Sequence, residues 1–271
     1  MKKMVNFNFV DKVKNIKDSN NNNVVNSADS NWSTKKISNP DSLLYNECCI
    51  DIYAGDVDNG KVSQKWFNKD NRKKQIKNKQ RNKVVGYDFS RITPDKTRKS
   101  IVIILESPHT DEYSLDDKWN KVTPAIGSTG TKLQNNVDKL IEKVCKDYPK
   151  GTTYQIVLMN SIQFQCSLGI SPLDKKVRDC VFSEIWKLDP IRNDFKDRLK
   201  SYNPKCILNL CTTGEVKPSL NYLVQALINE IYYDNKGVEL YIGYHPSHWI
   251  SDNSKKVWNA RKPYLDAIDF K

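Results

Sequence analysis

The chain lacks any stretch approaching 18 consecutive apolar residues and carries no apolar h-region near its N-terminus, so neither a membrane-spanning helix nor a signal peptide is expected. It lacks an internal repeat, which sets aside solenoid architectures. It lacks an even cysteine count. The seven thiols are Cys48, Cys49, Cys145, Cys166, Cys180, Cys206 and Cys211, and the last two stand inside apolar runs where a free thiol behaves as a small hydrophobe. The expectation is a soluble protein in the reducing cytoplasm, with no disulfide framework.

Acidic residues are scarce in one segment. Between positions 61 and 99, fourteen Lys and Arg face three Asp, a net +11 out of +12 for the whole chain. That imbalance suits a polyanionic partner, and it suits a solvated basic face equally. Trp66 and Phe67 precede R-K-K-Q-I-K at 72–77, and aromatics beside a basic run fit nucleic acid. Arg72, Lys73, Lys74 and Lys77 are the candidate phosphate contacts.

At 271 residues the chain is long enough for one buried α/β domain with an appendage. Residues 1–40 are rich in Asn, Ser and Lys and too poor in apolar surface to offset their ordering entropy, which predicts a flexible segment. Residues 41–99 read as an irregular basic extension, with Leu43, Leu44, Tyr45, Ile50, Ile52 and Tyr53 docking on the main domain. From residue 100 the pattern becomes regular. I-V-I-I-L at 101–105 bears no charge, as a strand buried on both faces does, and it ends in Glu106, Ser107, Pro108 and His109.

Further strands are expected over 154–159, 205–211 and 238–244. The helix before the second strand carries Leu133, Val137, Leu140, Ile141 and Val144 at helical spacing, with Ser128 or Thr129 as its cap. Helices are also expected around 177–188, 191–202 and 220–231, and a last one bears Val257, Trp258, Tyr264, Leu265 and Ile268. Strands alternating with helices through right-handed crossovers predict a three-layer α/β sandwich over 100–271, with a four-stranded parallel sheet.

In such a sheet ligands lie beyond the carboxyl ends of the strands. The three histidines, His109, His245 and His248, all fall in loops after the first and fourth strands. Glu106, Asn160 and His245 close three different strands. A carboxylate, an amide and an imidazole there can orient water, read a base edge and support a developing anion.

These residues resemble the uracil-DNA glycosylase superfamily, most closely its fourth, iron-sulfur-containing branch. L-E-S-P-H at 105–109, followed by Glu112, stands where that branch reads G-E-A-P-G and a second Glu. P-A-I-G-S-T-G-T-K-L at 124–133 stands where it reads P-F-V-G-x-x-G-x-x-L, Asn160 closes the second strand, and H-P-S at 245–247 precedes Val257 and Trp258. The similarity runs in order over 101–268. It implies a uracil-DNA glycosylase-like fold and a monofunctional DNA glycosylase that flips a nucleotide out of double- or single-stranded DNA and leaves an abasic site. By that resemblance Glu106, alone or with Glu112, orients water and stabilises the sugar cation, and His245 supports the leaving base. Asn160 reads the base edge, beside Ala125, His109 and Trp119. Ser128, Ser247, His248 and Trp249 approach the DNA, the last two as a wedge. The protein is expected to act as a monomer.

The sequence departs from the family pattern at three places. Leu105 and His109 replace glycines, so the pocket floor differs. Ala125 replaces a stacking Phe, leaving space for a larger base or for Trp119 or Tyr113 to fill. Cys48 and Cys49 are adjacent where the branch has C-x-x-C, so no iron-sulfur cluster, metal or other cofactor is expected. The expected substrate is a modified pyrimidine, such as a modified cytosine in phage DNA removed in antiviral defence. Uracil excision in base repair and a catalytically inactive DNA-binding module are the alternatives.

Overall fold

The computed structural model describes residues 49–67, 93–109, 112, 124–125, 127–166, 174–249 and 257–259. In chain order the first elements are β1 (Ile52–Asp58), β2 (Lys61–Lys65), β3 (Ser100–Leu105), α1 (Ser128–Val144) and β4 (Thr153–Asn160). Then follow α2 (Asp174–Trp186), α3 (Asp189–Ser201), β5 (Pro204–Asn209), α4 (Leu220–Tyr232), β6 (Glu239–Gly243) and β7 (Val257–Asn259), with a 3-10 turn at Pro246–His248 before β7.

The strand order is β2-β1-β4-β3-β5-β6-β7. β3 pairs in parallel with β4 on one side and β5 on the other, and β6 pairs in parallel with β5. These four are the strands expected from the sequence, but the four-stranded parallel sheet is corrected to a mixed, seven-stranded one. β1 lies antiparallel to β4, β2 antiparallel to β1, and β7 antiparallel to β6.

The added strands are short and half polar. β1 and β2, I-Y-A-G-D-V-D and K-V-S-Q-K, come from the stretch read as an irregular extension, and in them Ile52, Ala54 and Val57 are fully buried. Such weak strand preference is decided by the neighbour, and β4 offers an edge to pair with. β7 overturns the expected last helix at its start: Val257 and Trp258, good strand formers, pair with Gly243 and Ile242. Tyr264, Leu265 and Ile268 lie outside the described residues.

The three expected layers are present. Phe182, Trp186, Phe195, Leu199, Val224 and Ile228 of α2, α3 and α4 pack on Val102, Ile104, Val157 and Met159. On the opposite face, Leu133, Val137, Leu140 and Ile141 of α1 pack on Ile101, Ile103, Ile156 and Leu158. Each such buried aliphatic side chain contributes about 1.5–3 kcal/mol, which is why β3 carries no charge on either face.

α1 opens differently from the expectation. Gly127 holds the N-cap position without a side-chain cap, and Ser128 begins the helix, one residue too late to cap it. Gly130 is required by close approach. A Cβ there would lie 1.9 Å from the Ala125 carbonyl oxygen and 2.8 Å from that of Phe67. The six described cysteines, Cys49, Cys145, Cys166, Cys180, Cys206 and Cys211, are free thiols. No described helix is long and apolar enough to cross a membrane.

Candidate functional site

The connections leaving β3 and β5 diverge. α1 runs over one face of the sheet toward β4, and α4 over the other toward β6. Divergence of this kind opens a crevice beyond the carboxyl ends of the two strands. Glu106 and Thr212 stand there. Glu106 is 8% exposed, its Oε2 accepts from the Thr212 N–H at 3.0 Å, and its Oε1 lies 3.4 Å from Nη1 of Arg178 in α2.

Arg178 donates from Nε and Nη2 to Oδ1 of the buried Asp179 at 2.8 and 2.6 Å. Asp179 in turn accepts from the Glu215 N–H through Oδ2. Gly214, at φ +72°, passes so close that a Cβ would lie 2.7 Å from that oxygen. Hydrogen bonds thus link Glu106 and Asp179 to the 212–215 loop and Arg178 to Asp179, and the Arg178–Glu106 ion pair closes the circuit.

His245 follows β6 and caps the 3-10 turn. Its Nδ1 accepts from the Ser247 N–H at 3.2 Å and lies 2.7 Å from Ser247 Oγ. A backbone N–H can only donate, so the neutral ring carries its proton on Nε2. Burial pushes the imidazole down to about 3, and the charges of His248, Arg178 and Lys132 push the same way. His245 is therefore a neutral donor near pH 7. Lys132 of α1 donates from Nζ to the Ser247 carbonyl and ties the turn to the helix.

Asn160 ends β4, buried, and donates from Nδ2 to Cys49 Sγ at 3.4 Å. Its carbonyl accepts from Arg198 Nη1 at 3.0 Å, and the Ser161 carbonyl accepts from Nη2 at 3.1 Å. Arg198 also reaches both Asp51 oxygens at 3.0 Å and Asp194 at 2.7 Å, and the Tyr202 hydroxyl donates to Asp51 at 2.8 Å. Burial pushes the Asp51 carboxyl up, against the pull of Arg198. Asn160 continues the face of Ile156 and Leu158 toward α1, whereas Glu106 reaches α2. The expected residues share one edge of the sheet; Glu106 is ion-paired with Arg178, whose charge also acts on His245, and Asn160 is held to Cys49.

The remaining expected residues divide. Glu112 accepts from the Ala125 N–H at 2.6 Å and so fixes the turn before α1, where Ala125 is buried with φ +55°. The His109 carbonyl accepts from the Glu112 N–H at 2.9 Å. His109, Ser128 and His248 are exposed and Ser247 is half-buried. Trp249 corrects the wedge expectation: it is 6% exposed in the core on the α1 side, with Nε1 donating to the Tyr244 carbonyl at 2.9 Å. The apolar surface of an indole favours that burial once its N–H has a partner. Trp119, Tyr113, Arg72, Lys73, Lys74 and Lys77 lie outside the described residues. Among the described residues no cluster of His, Cys, Asp or Glu is arranged to hold a metal.

Sequence reasoning missed Arg178, Asp179, Arg198 and Asp51. A signal existed for the arginines. Arg178 shares the helical phase of Val181, Phe182 and Ile185, and Arg198 that of Ile191 and Phe195, so each is a charge inside an apolar stripe. A groove of 1080 Å³ between α2, α3 and α4, lined by Trp186, Tyr222, Leu223, Leu227 and Tyr233, includes none of Glu106, Arg178, Asn160 or His245. No family model matches the chain, and searches of curated proteins and of solved structures return no match.

Proposed function

We propose that the chain is a monofunctional DNA glycosylase that releases a modified pyrimidine from DNA, with its site in the β3/β5 crevice. One observation carries the reading: a buried carboxylate, Glu106, ion-paired with Arg178, and an imidazole fixed as a neutral Nε2 donor, His245, follow β3 and β6 at the same edge of an α/β sheet, and the Arg178 charge acts on both. In the reaction the bond from sugar C1′ to the base nitrogen breaks and its electron pair leaves with the base. Water adds to C1′, and the proton it loses passes through solvent to the released base anion. Positive charge grows on the sugar, which Glu106 stabilises, while the Nε2–H of His245 donates a hydrogen bond to the departing anion. An imidazole that protonates only near pH 3 does this without entering as imidazolium. Asn160 reads the base edge once its amide exchanges Cys49 for the base. Ala125 in place of an aromatic favours a pyrimidine bearing a bulky substituent.

The test is excision by the full chain on oligonucleotides containing uracil, 5-hydroxymethylcytosine or glucosylated hydroxymethylcytosine, with abasic sites revealed by alkaline cleavage. Release of a modified cytosine is expected. Glu106→Gln, Asn160→Ala and His245→Ala should each lower the rate by about 100-fold or more, with DNA affinity kept because phosphate contacts carry most of it. Release of uracil alone returns the protein to base repair. No abasic site on any substrate, with DNA binding intact, reduces it to a binding module.

A further inference from the structure

We propose that Arg178 and Asp179 are positioning residues that set the charge of Glu106: Arg178 holds the buried carboxylate ionised, and Asp179 shares the guanidinium so that the field of Glu106 toward the crevice survives. The glycosylase reading enters only in naming what that field acts on, the sugar cation.

Burial drives a carboxylate toward its neutral form, and a cation within about 4–6 Å reverses this. Arg178 stands 3.4 Å from Glu106 and makes its shorter contacts, 2.6 and 2.8 Å, with Asp179. Two carboxylates and one guanidinium leave one negative charge among the three groups. Such a buried arrangement is a poor device for stability, since apolar side chains of like volume usually serve as well. It suits a site that must meet a transient cation with fixed, preorganised charge. The circuit through the Thr212 and Glu215 N–H groups supplies the fixing.

Among the described residues, two thiols also interact with Glu106. Cys166 after β4 and Cys211 after β5 both feel its charge, and burial pushes both thiols up, so they stay protonated. His245 after β6 stays neutral, with Lys132 of α1 beyond it.

The experiment follows the Glu106 side-chain carboxyl by NMR in the full-length protein labelled with ¹³C at Glu carboxyls, the signal assigned by its loss in Glu106→Gln. Arg178→Gln should raise the titration midpoint by about one pH unit or more. Arg178→Lys should raise it less, and Asp179→Asn should lower it. The acid limb of the excision rate should move in the same order, with the plateau rate of Asp179→Asn down by about tenfold. A merely structural role would not split the two residues by sign. Should Arg178→Gln fail to fold, the opposite shifts of Arg178→Lys and Asp179→Asn carry the test. Midpoints that stay with the wild type overturn the proposal even if excision proceeds. Midpoints that move in a protein that excises nothing remove the glycosylase reading and leave this assignment standing.

Discussion

His245 titrates far from the pH range in which histidines usually switch. Its folded value is depressed from 6.5 to about 3, so as pH falls through that window the unfolded chain takes up a proton that the folded chain refuses. Its contribution to stability is complete above pH 6.5 and is lost below, at up to about 1.4 kcal/mol per pH unit. His245→Asn keeps an acceptor for the Ser247 N–H and removes the titration. Denaturant unfolding at pH 7 and pH 4.5 should show the variant losing less stability on acidification than the wild type; equal losses would contradict the assigned burial. At Gly214, a substitution to Ala places Cβ against Asp179 in a left-handed backbone conformation. The expected cost is about 1–3 kcal/mol, read as a lower denaturation midpoint, with excision falling alongside because the circuit under Glu106 is displaced.

Among the elements, the end of β4 depends on a charge from α3. Arg198, 3% exposed, holds the carbonyls of Asn160 and Ser161 and pairs with Asp51 ahead of β1. Removing one member of a buried ion pair strands the other, so Arg198→Ala and Asp51→Ala should each destabilise by about 3–5 kcal/mol, measured by urea unfolding. The double variant should cost less than the sum, because neither charge is then left alone. These partners show where sequence reading stops. The I-V-I-I-L run was legible because burial on both faces excludes charge whatever the neighbours are, and Glu106 and His245 were legible because they interrupt such runs at strand ends. β1, β2 and β7 were not: a half-polar strand is settled by the edge it meets, and that edge is distant in sequence. The ion pairs were only half legible: Arg178 and Arg198 stand as charges inside apolar stripes, but Glu106 and Asp51, which they also meet, come from other elements.

At the scale of the molecule, the excess charge gathers in residues 61–99 while the candidate site lies beyond the ends of β3, β5 and β6. If the partner is DNA, the basic segment supplies affinity and the crevice supplies selectivity. Neutralising Arg72, Lys73, Lys74 and Lys77 should then flatten the dependence of log affinity on log salt by about 0.9 for each duplex phosphate that no longer meets a cation. Binding titrations at several salt concentrations measure this directly, and an unchanged slope would assign the run to solvent.

The central place of β3 has a consequence for synthesis. Its two partners are encoded well after it, β4 beginning roughly 50 residues later and β5 roughly 100. At about 5–20 residues per second of translation, the most apolar strand waits on the order of ten seconds with at least one edge open. Edges of that kind attract other chains. Nascent chains halted between β4 and β5 should accordingly be held by chaperones, and released once β5 has emerged from the ribosome.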